Sequence, residues 1–275
     1  MNPYSSDLRF SISDLWIVIK GAGEMATGIA HRLFTANIKQ IVMTEVPEPI
    51  TVRRTVAFSE AVYENESRVE GIAARLVACV EDIPPIWKEN KIAVIVDPEA
   101  RVVGEIKPDV VVDAIMAKRN TGTRKEEASL VIGVGPGFSA PDIVHAAVES
   151  NRGHNLGKVF YEGATEPHTG IPGSVMGYTT ERVLRSPHAG QVKHVRAIGD
   201  YVSKGETVMF VGETPIGAPF DGILRGLIRP VSIEADEKIG DVDPKGTREH
   251  CYTITEKARA IGGGVLEAIM HFRAK

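Results

Sequence analysis

Residues 15–34, LWIVIKGAGEMATGIAHRLF, constrain the fold more than any other stretch of the chain. Residues 16–19 are apolar and mostly β-branched, which is typical of a strand buried on both faces in a parallel sheet. Met25, Ile29 and Leu33 then recur at intervals of four residues, as expected for a helix with one buried face. Because two glycines lie between these segments, the stretch predicts the first strand–turn–helix unit of a Rossmann-type fold.

The turn has the spacing Gly21-x-Gly23-x-x-Ala26, in which Ala26 takes the place of a third glycine, as the dinucleotide fingerprint permits. Glycines let the backbone approach a pyrophosphate, and the free N–H groups at a helix start attract its charge. The predicted pyrophosphate-binding residues are Gly21, Ala22, Gly23, Glu24, Met25 and Ala26. The alternative interpretation is a tight turn without a ligand.

A second apolar strand, residues 40–44, ends at Glu45, which lies 24 residues after Gly21. An acidic residue at this point hydrogen-bonds ribose hydroxyls in dinucleotide-binding folds, so Glu45 is a predicted ribose ligand; otherwise it is a solvated side chain. Arg53 follows in a predicted helix of residues 52–61. Its guanidinium is interpreted either as a phosphate clamp or as an exposed cation. Residues 62–63 and 68–70 predict a hairpin.

Further apolar strands are predicted at residues 92–96, 110–115, 130–134 and 158–161, alternating with helices that include residues 142–149. This alternation predicts a mostly parallel sheet with helices on both faces. Ligands bind beyond the carboxyl ends of such strands, so Asp113, Lys118, Gly133 and Gly135 join the predicted cofactor-binding residues. The last two belong to a second glycine turn, for which a simple need for positive φ angles is an equal alternative.

From residue 183 the chain carries an internal repeat of short β-type segments. Each half has the order glycine, strand, Ile-Gly-Asp, Lys-Gly, with Ile-Gly-Asp at residues 198–200 and 239–241. This repeat resembles the barrel-sandwich hybrid fold of biotinyl and lipoyl domains, which carry their cofactor on a lysine between the halves. Residues 210–216, FVGETPI, contain no lysine there. The predicted division is a Rossmann-like nucleotide-binding domain (1–180), a small β domain without the modifiable lysine (181–250) and a C-terminal helix packing on the first domain (251–275).

Composition narrows the classes of function. The net charge is −4 and no basic run occurs, which argues against binding to nucleic acid or an anionic membrane. The sequence lacks a signal-peptide pattern and an apolar run of about 20 residues, so a cytoplasmic location is expected. Cys79 and Cys251 lie far apart and predict neither a disulfide framework nor a cysteine-rich metal site; no metal site is expected.

Most of the chain, from residue 16 to 270, resembles a family of accessory proteins encoded with selenium-dependent molybdenum hydroxylases. The Rossmann part of that family is related to maturation factors of xanthine and carbon monoxide dehydrogenases. The resemblance implies a role in the maturation or insertion of the molybdenum cofactor, with a hydroxylase subunit as partner. The motifs that carry it are IKGAGEMATGIA, TVRRTVAFSEAVY, DAIMAKRNTGT, VIGVGPGF, RGHNLGKV, TGIPGSVMGY and KARAIGGGVLEAI.

The leading hypothesis is therefore a cytoplasmic accessory protein that binds a nucleotide-containing ligand, either NAD(P) or a molybdopterin dinucleotide. Both ligands contain a pyrophosphate, so the glycine turn does not separate them. The alternative is an NAD(P)-dependent oxidoreductase of unknown substrate, for which Asp113, Lys118 and His168 are the acid–base candidates; no spacing singles out a catalytic residue. A third hypothesis is a scaffold whose β domain docks a hydroxylase subunit.

Overall fold

The structure is a computed structural model that describes residues 12–168, 170 and 177–274. In these residues it is a mixed α/β protein with a large, mostly parallel sheet, additional antiparallel sheets and a C-terminal helix. This confirms the α/β class predicted from the sequence.

The first part of the described chain contains eleven strands and four short or medium helices. The strands are β1 (Trp16–Lys20), β2 (Gln40–Glu45), β3 (Glu66–Val69), β4 (Ile72–Val77), β5 (Ile92–Val96), β6 (Val110–Asp113), β7 (Leu130–Val134), β8 (Ser139–Ala140), β9 (Ala146–Val148), β10 (Val159–Phe160) and β11 (Gly163–Ala164). The helices are α1 (Glu24–Thr35), α2 (Ala61–Glu64), α3 (Ile83–Lys88) and α4 (Val102–Ile106).

The large sheet has the strand order β10-β9-β7-β6-β1-β2-β5-β4-β3. Every pairing from β4 to β9 is parallel, and the edge pairs β3–β4 and β9–β10 are antiparallel. Strand β1 lies between β2 and β6. The strands that follow β1 are first added on its β2 side, and β6 and later strands are added on its other side. Open α/β sheets bind ligands at the carboxyl ends of strands where the order reverses in this way, and the Gly21 turn follows β1 at that point.

The sheet is buried on both faces, as its apolar strands predict. In β1, Ile17 and Ile19 belong to one core and Val18 to the other, and all three are fully buried. One core is covered by α1 together with α5 (Glu256–Arg273), and the other by α3 and α4.

Small residues allow α5 to pack closely on α1. A Cβ atom at Gly28 would lie 2.6 Å from the Cβ of Ala258, and one at Gly262 would lie 2.9 Å from the carbonyl oxygen of Gly28. Gly263 faces open space. A Cβ atom at Gly264 would overlap the carbonyl oxygen of Gly157, so this glycine lets α5 approach the chain after β9 and not α1.

The second part of the chain forms two four-stranded antiparallel sheets around a core of its own, which we call the β module (residues 183–243). Its sheets have the orders β12-β19-β17-β14 and β16-β15-β13-β18. Its strands are β12 (Val183–Arg185), β13 (Gly190–His194), β14 (Tyr201–Val202), β15 (Thr207–Val211), β16 (Thr214–Gly217), β17 (Gly222–Leu227), β18 (Ser232–Ile233) and β19 (Lys238–Asp243).

The predicted repeat is visible in this module. Ile198 and Ile239, the first residues of the two Ile-Gly-Asp signatures, are both buried in its core. Each half also contributes an antiparallel pair, β13 with β15 and β17 with β19. The division of the whole chain at residues 180 and 250 stays a prediction.

Three local predictions were wrong. Residues 52–61 form short 3-10 turns, Arg54–Val56 and Phe58–Glu60, instead of a helix. The hairpin joins β3 to β4 and turns at residues 70–71, later than predicted. Residues 142–149 contain strand β9, because the short apolar run of residues 146–148 is wholly buried in the sheet and its periodicity does not separate strand from helix.

Among the described residues, no helix combines the length and the apolar character that crossing a bilayer requires.

Candidate functional site

A cleft of about 870 Å³ opens at the carboxyl edge of the large sheet. It is bounded by the ends of the central strands on one side and by the β module and the start of α5 on the other. The predicted site residues that line it are Gly21, Gly23, Glu24, Met25, Glu45, Arg53 and Lys118.

The two glycines of the turn exist for different reasons. Gly21 has a φ angle of +92°, and a Cβ atom there would lie 3.1 Å from the carbonyl oxygen of Ala114. The fold itself therefore requires glycine at position 21. Gly23 has an ordinary φ angle of −68°, and a Cβ atom there would come no closer than 3.9 Å to Thr51. Its missing side chain leaves space in the cleft that the fold does not need.

Helix α1 begins at this open space. Gly23 is its N-cap residue, and no side chain hydrogen-bonds to the helix start. The first N–H groups of a helix have no partner within the helix and favour an anion. Ala22 and Ala26, the remaining members of the fingerprint, are fully buried and pack beneath the turn.

Glu45 is bound to the turn. Its carboxylate accepts hydrogen bonds from the N–H groups of Ala22, at 3.0 Å, and Val46, at 2.9 Å. Burial raises the pKa of Glu45, and these two hydrogen bonds oppose that rise. The side chain fixes the shape of the turn and still presents a carboxylate edge to the cleft.

Arg53 connects separate parts of the chain. Its side chain is only 3% exposed and donates hydrogen bonds to Glu24 (2.9 Å) and to the carbonyl oxygens of His250 (2.7 Å) and Thr253 (3.1 Å). Arg54 similarly donates to the carbonyl oxygen of Leu227. The adjacent arginines therefore hold the β module and the segment before α5 against the large sheet.

Asp113 lies behind the turn and does not line the cleft. It is buried and accepts hydrogen bonds from the hydroxyl of Thr123, at 2.7 Å, and the N–H of Ile115, at 3.2 Å. Burial raises its pKa above the ordinary value. Of the three acid–base candidates, only Lys118 and His168 line the cleft.

The second glycine turn is tightly packed. A Cβ atom at Gly133 would overlap the ring of Phe138, and one at Gly135 would lie 2.7 Å from the hydroxyl oxygen of Ser150. Neither glycine lines the cleft, although Pro136 between Gly135 and Gly137 does. Close packing therefore accounts for both glycines.

Cationic side chains that the sequence analysis did not identify form much of the cleft wall. Among the residues that the structure describes, eight lysines and arginines line it against five carboxylates, an excess of three positive charges in a chain whose net charge is −4. The cations not predicted from the sequence are Arg152, Arg182, Arg185, Arg225, Lys238 and Lys257.

Asp241 organises the cations of the β module. It lies 2.9 Å from Arg182, 2.9 Å from Arg225 and 3.8 Å from Lys238. Burial alone would raise the pKa of Asp241, but the three cations hold it below its ordinary value. Asp200 occupies the same place in the first half of the repeat, and its carboxylate accepts a local hydrogen bond from the N–H of Ala197. Both halves read Ile-Gly-Asp, so this motif alone does not distinguish the two aspartates.

Two of the three cleft lysines, Lys238 and Lys257, have lowered pKa values. Burial lowers the pKa of Lys238; the charge of Asp241 opposes this, and repulsion from Arg182 and Arg225 adds to it. Burial, followed by repulsion from Arg152, lowers the pKa of Lys257 in the same way. Both amines therefore lie where positive charge is crowded.

The cleft lining also includes exposed apolar side chains. Val46, Ile50 and Ile115 line it and are between 40% and 45% exposed. Val46 directly follows Glu45 at the end of β2, whereas Ile115 follows β6 on the other side of the glycine turn. An apolar side chain therefore lies beside the Glu45 carboxylate.

Neither cysteine is activated. Cys79 is exposed, but the neighbouring carboxylates of Glu81 and Asp82 raise the pKa of its thiol. Burial raises the pKa of Cys251. A reactive cysteine needs both an exposed side chain and a lowered thiol pKa, and neither cysteine has both.

Comparison with known proteins gives one relative of similar sequence. No family model matches the chain. The chain is 45% identical over 255 residues to YqeB of Escherichia coli (strain K12), an uncharacterized protein, and the match covers 92% of this chain and 47% of that protein. The chain therefore spans about half the length of this relative.

The solved structures that it resembles are distant. TcdA (CsdL) is 12% identical with a TM-score of 0.36, covering 96% of this chain and 90% of that one. An aspartoacylase family protein from Mesorhizobium loti is 10% identical with a TM-score of 0.25, covering 78% and 60%. The ectoine utilization protein EutE (DoeB) from Ruegeria pomeroyi is 11% identical with a TM-score of 0.26, covering 83% and 84%. These scores are too low to support an inference.

Proposed function

We propose that the cleft binds a nucleotide and that the protein acts in the maturation or insertion of the molybdenum cofactor of a selenium-dependent molybdenum hydroxylase. One observation carries the nucleotide site: an uncapped helix start, preceded by a glycine that the fold does not require, opens onto a cationic cleft at the reversal point of the sheet. A pyrophosphate satisfies both the free N–H groups and the positive charge.

The cleft also offers suitable contacts for the ribose and the base of a nucleotide. The ribose hydroxyls meet the carboxylate of Glu45, which retains acceptor capacity beside its two backbone hydrogen bonds. The base lies on the apolar side chains of Val46 and Ile50, which follow Glu45 in the chain. Lys118 contributes charge near the phosphates.

The link to molybdenum enzymes rests on the sequence resemblance, and the positions of its motifs support it. Arg53, Lys118, Arg152 and Lys257 belong to four different motifs of that family and all line this cleft. Most of a further motif, residues 169–178, lies outside the described residues. On this proposal the protein is cytoplasmic and its ligand is NAD(P) or a molybdopterin dinucleotide.

The β module is proposed to be a barrel-sandwich hybrid of the biotinyl and lipoyl type. Its β15–β16 hairpin lacks a lysine, so a swinging cofactor arm has no attachment point. Its role in the proposal is to supply one wall of the nucleotide cleft and a surface for a hydroxylase subunit.

Native mass spectrometry of the protein purified from its own host tests the proposal. We expect a bound mass equal to that of NAD(P) or a molybdopterin dinucleotide, and its loss in Gly23→Asp, because a carboxylate then occupies the pyrophosphate position. Gly104→Asp is the matched control, since Gly104 faces open space in α4, outside the cleft lining. Purification with a hydroxylase but without any nucleotide would favour the scaffold hypothesis instead.

The cellular role is tested by deleting the gene in the host. The proposal predicts that hydroxylase protein accumulates without its molybdenum cofactor, and that the wild-type gene but not the Gly23→Asp gene restores cofactor content. Normal cofactor content in the deletion strain would contradict the maturation role while leaving the nucleotide site in place.

A further inference from the structure

The cleft has two ends of different character, and the order of the strands shows where they lie. Along the carboxyl edge of the sheet, Pro98 follows β5, Glu45 ends β2, Gly21 follows β1, Lys118 follows β6 and Arg152 follows β9. Glu45 and Val46 therefore lie toward one side of the glycine turn, and Lys118 and Arg152 lie toward the other.

The cations of the β module and of α5 gather at the Arg152 side. The charges of Arg152 and Lys238 both act on the Lys257 amine, so these three side chains are neighbours. The charge of Glu24 acts on Lys238, Lys257 and also Arg225. Because Glu24 begins α1, this cationic end adjoins the proposed pyrophosphate position.

Among the described residues, the two lysines at this end have no carboxylate of their own. Arg152 pairs with Glu256, Arg182 and Arg225 share Asp241, and Arg225 also lies 3.4 Å from Asp243. Within the described part of the chain, Lys257 has no carboxylate within 4.0 Å. Lys238 is 3.8 Å from Asp241, which also pairs with the two arginines.

Two arginines at this end have an Nε–H donor without a hydrogen-bond acceptor among the described residues. The side chain of Arg182 is 7% exposed and lines the cleft, and its Nε–H has no partner within the described residues. The Nε–H of Arg225 is likewise without one. Buried donors are normally paired, so these groups indicate a site built for an acceptor.

We propose that this cationic end binds a second anionic group, a carboxylate or phosphate, on the distal half of a dinucleotide whose pyrophosphate lies at the start of α1. The inference rests on the proposed nucleotide site and narrows its ligand class. An oxidised nicotinamide ring carries positive charge and is disfavoured beside Lys238 and Lys257. An anion there supplies a counter-charge to Lys238 and Lys257, whose pKa values are lowered by burial first and by neighbouring cations second.

Two dinucleotides that differ in one group provide the test. Nicotinic acid adenine dinucleotide carries a carboxylate where NAD carries a neutral carboxamide. We expect isothermal titration of the full chain to show about tenfold tighter binding of the carboxylate form, as a charge-assisted hydrogen bond provides. The ratio of the two affinities falls toward one in Lys257→Met and in Lys238→Met.

The matched control is Lys193→Met, an exposed lysine of the β module that does not line the cleft; it retains the wild-type ratio. Equal binding of the two dinucleotides by wild type, tighter binding of NAD, or an unchanged ratio in both lysine variants overturns the proposal. So does failure of both dinucleotides to bind to a protein that binds ADP. Failure of ADP to bind is a different result, which removes the nucleotide site itself and this inference with it.

Discussion

At the residue scale, the two glycines of the first turn look alike in sequence and differ in structure. Gly21 combines a positive φ angle with close contact to Ala114, whereas Gly23 has an ordinary φ angle and open space. A fold requirement explains the first glycine, and a ligand explains the second. The sequence pattern contains both and does not separate them, because the distinction depends on the position of β6, almost a hundred residues later.

This difference predicts the stabilities of two variants. Gly21→Ala should lower the free energy of unfolding by about 1–3 kcal/mol, because alanine is strained at a positive φ angle and contacts the Ala114 carbonyl. Gly23→Ala should change it by less than about 1 kcal/mol. Urea denaturation of both variants measures the difference, and equal losses would show that Gly23 is also a structural requirement.

Asp241 provides a second prediction at this scale. Asp241→Asn leaves buried Arg182 without its carboxylate and Arg225 with Asp243 alone, and should cost about 3–5 kcal/mol of unfolding free energy. Asp200→Asn is the matched control from the other half of the repeat and should cost less than about 1 kcal/mol, because asparagine can accept the same local hydrogen bond.

The contribution of Asp241 to the free energy of unfolding should decrease as the pH falls. The pKa of Asp241 is lowered in the folded protein, so its stabilising contribution is present above the ordinary value of 3.8 and is lost as the pH falls below it. Unfolding measured between neutral pH and about pH 3 should therefore show a steeper loss for wild type than for Asp241→Asn. Parallel curves would contradict this assignment.

At the scale of elements, the local sequence pattern was sufficient to predict a strand or helix where that segment alone determines its structure. Residues 16–45 contain β1, α1 and β2 as predicted, since apolar runs and a four-residue period are both present there. Residues 142–149 were predicted wrongly, because strand β9 is defined by its pairing with β7 and not by its own sequence. The docking role of residues 53–55 also depends on partners about 200 residues away.

The contact between α1 and α5 makes a prediction for paired glycine variants. Gly28→Ala places a methyl group 2.6 Å from the Cβ of Ala258 and should destabilise the protein by about 1–3 kcal/mol. Gly263→Ala lies in the same interface helix but faces open space, and should stabilise it by about 0.5–1 kcal/mol. Thermal unfolding compares them, and destabilisation by both would mean that α5 is packed on its other face as well.

At the scale of the whole molecule, the candidate site is assembled from parts that are far apart in sequence. The glycine turn and Glu45 were predicted from local motifs, and the structure brings them together at one edge of the cleft. The opposite wall comes from residues 152–257, and its cations were not predicted as site residues, although Arg152 and Lys257 belong to motifs of the resembling family. Their common location follows from the docking of the β module and α5 on the sheet.

The central claim is that the start of α1 binds the pyrophosphate of a nucleotide. Isothermal titration of ADP into wild type, Gly23→Asp and Gly104→Asp tests it most directly. We predict that Gly23→Asp binds at least about tenfold more weakly than wild type, because its carboxylate repels the phosphates and fills their space. Gly104→Asp should bind as wild type does. Equal affinity of wild type and Gly23→Asp, or no binding of ADP to the wild-type protein, would contradict the claim.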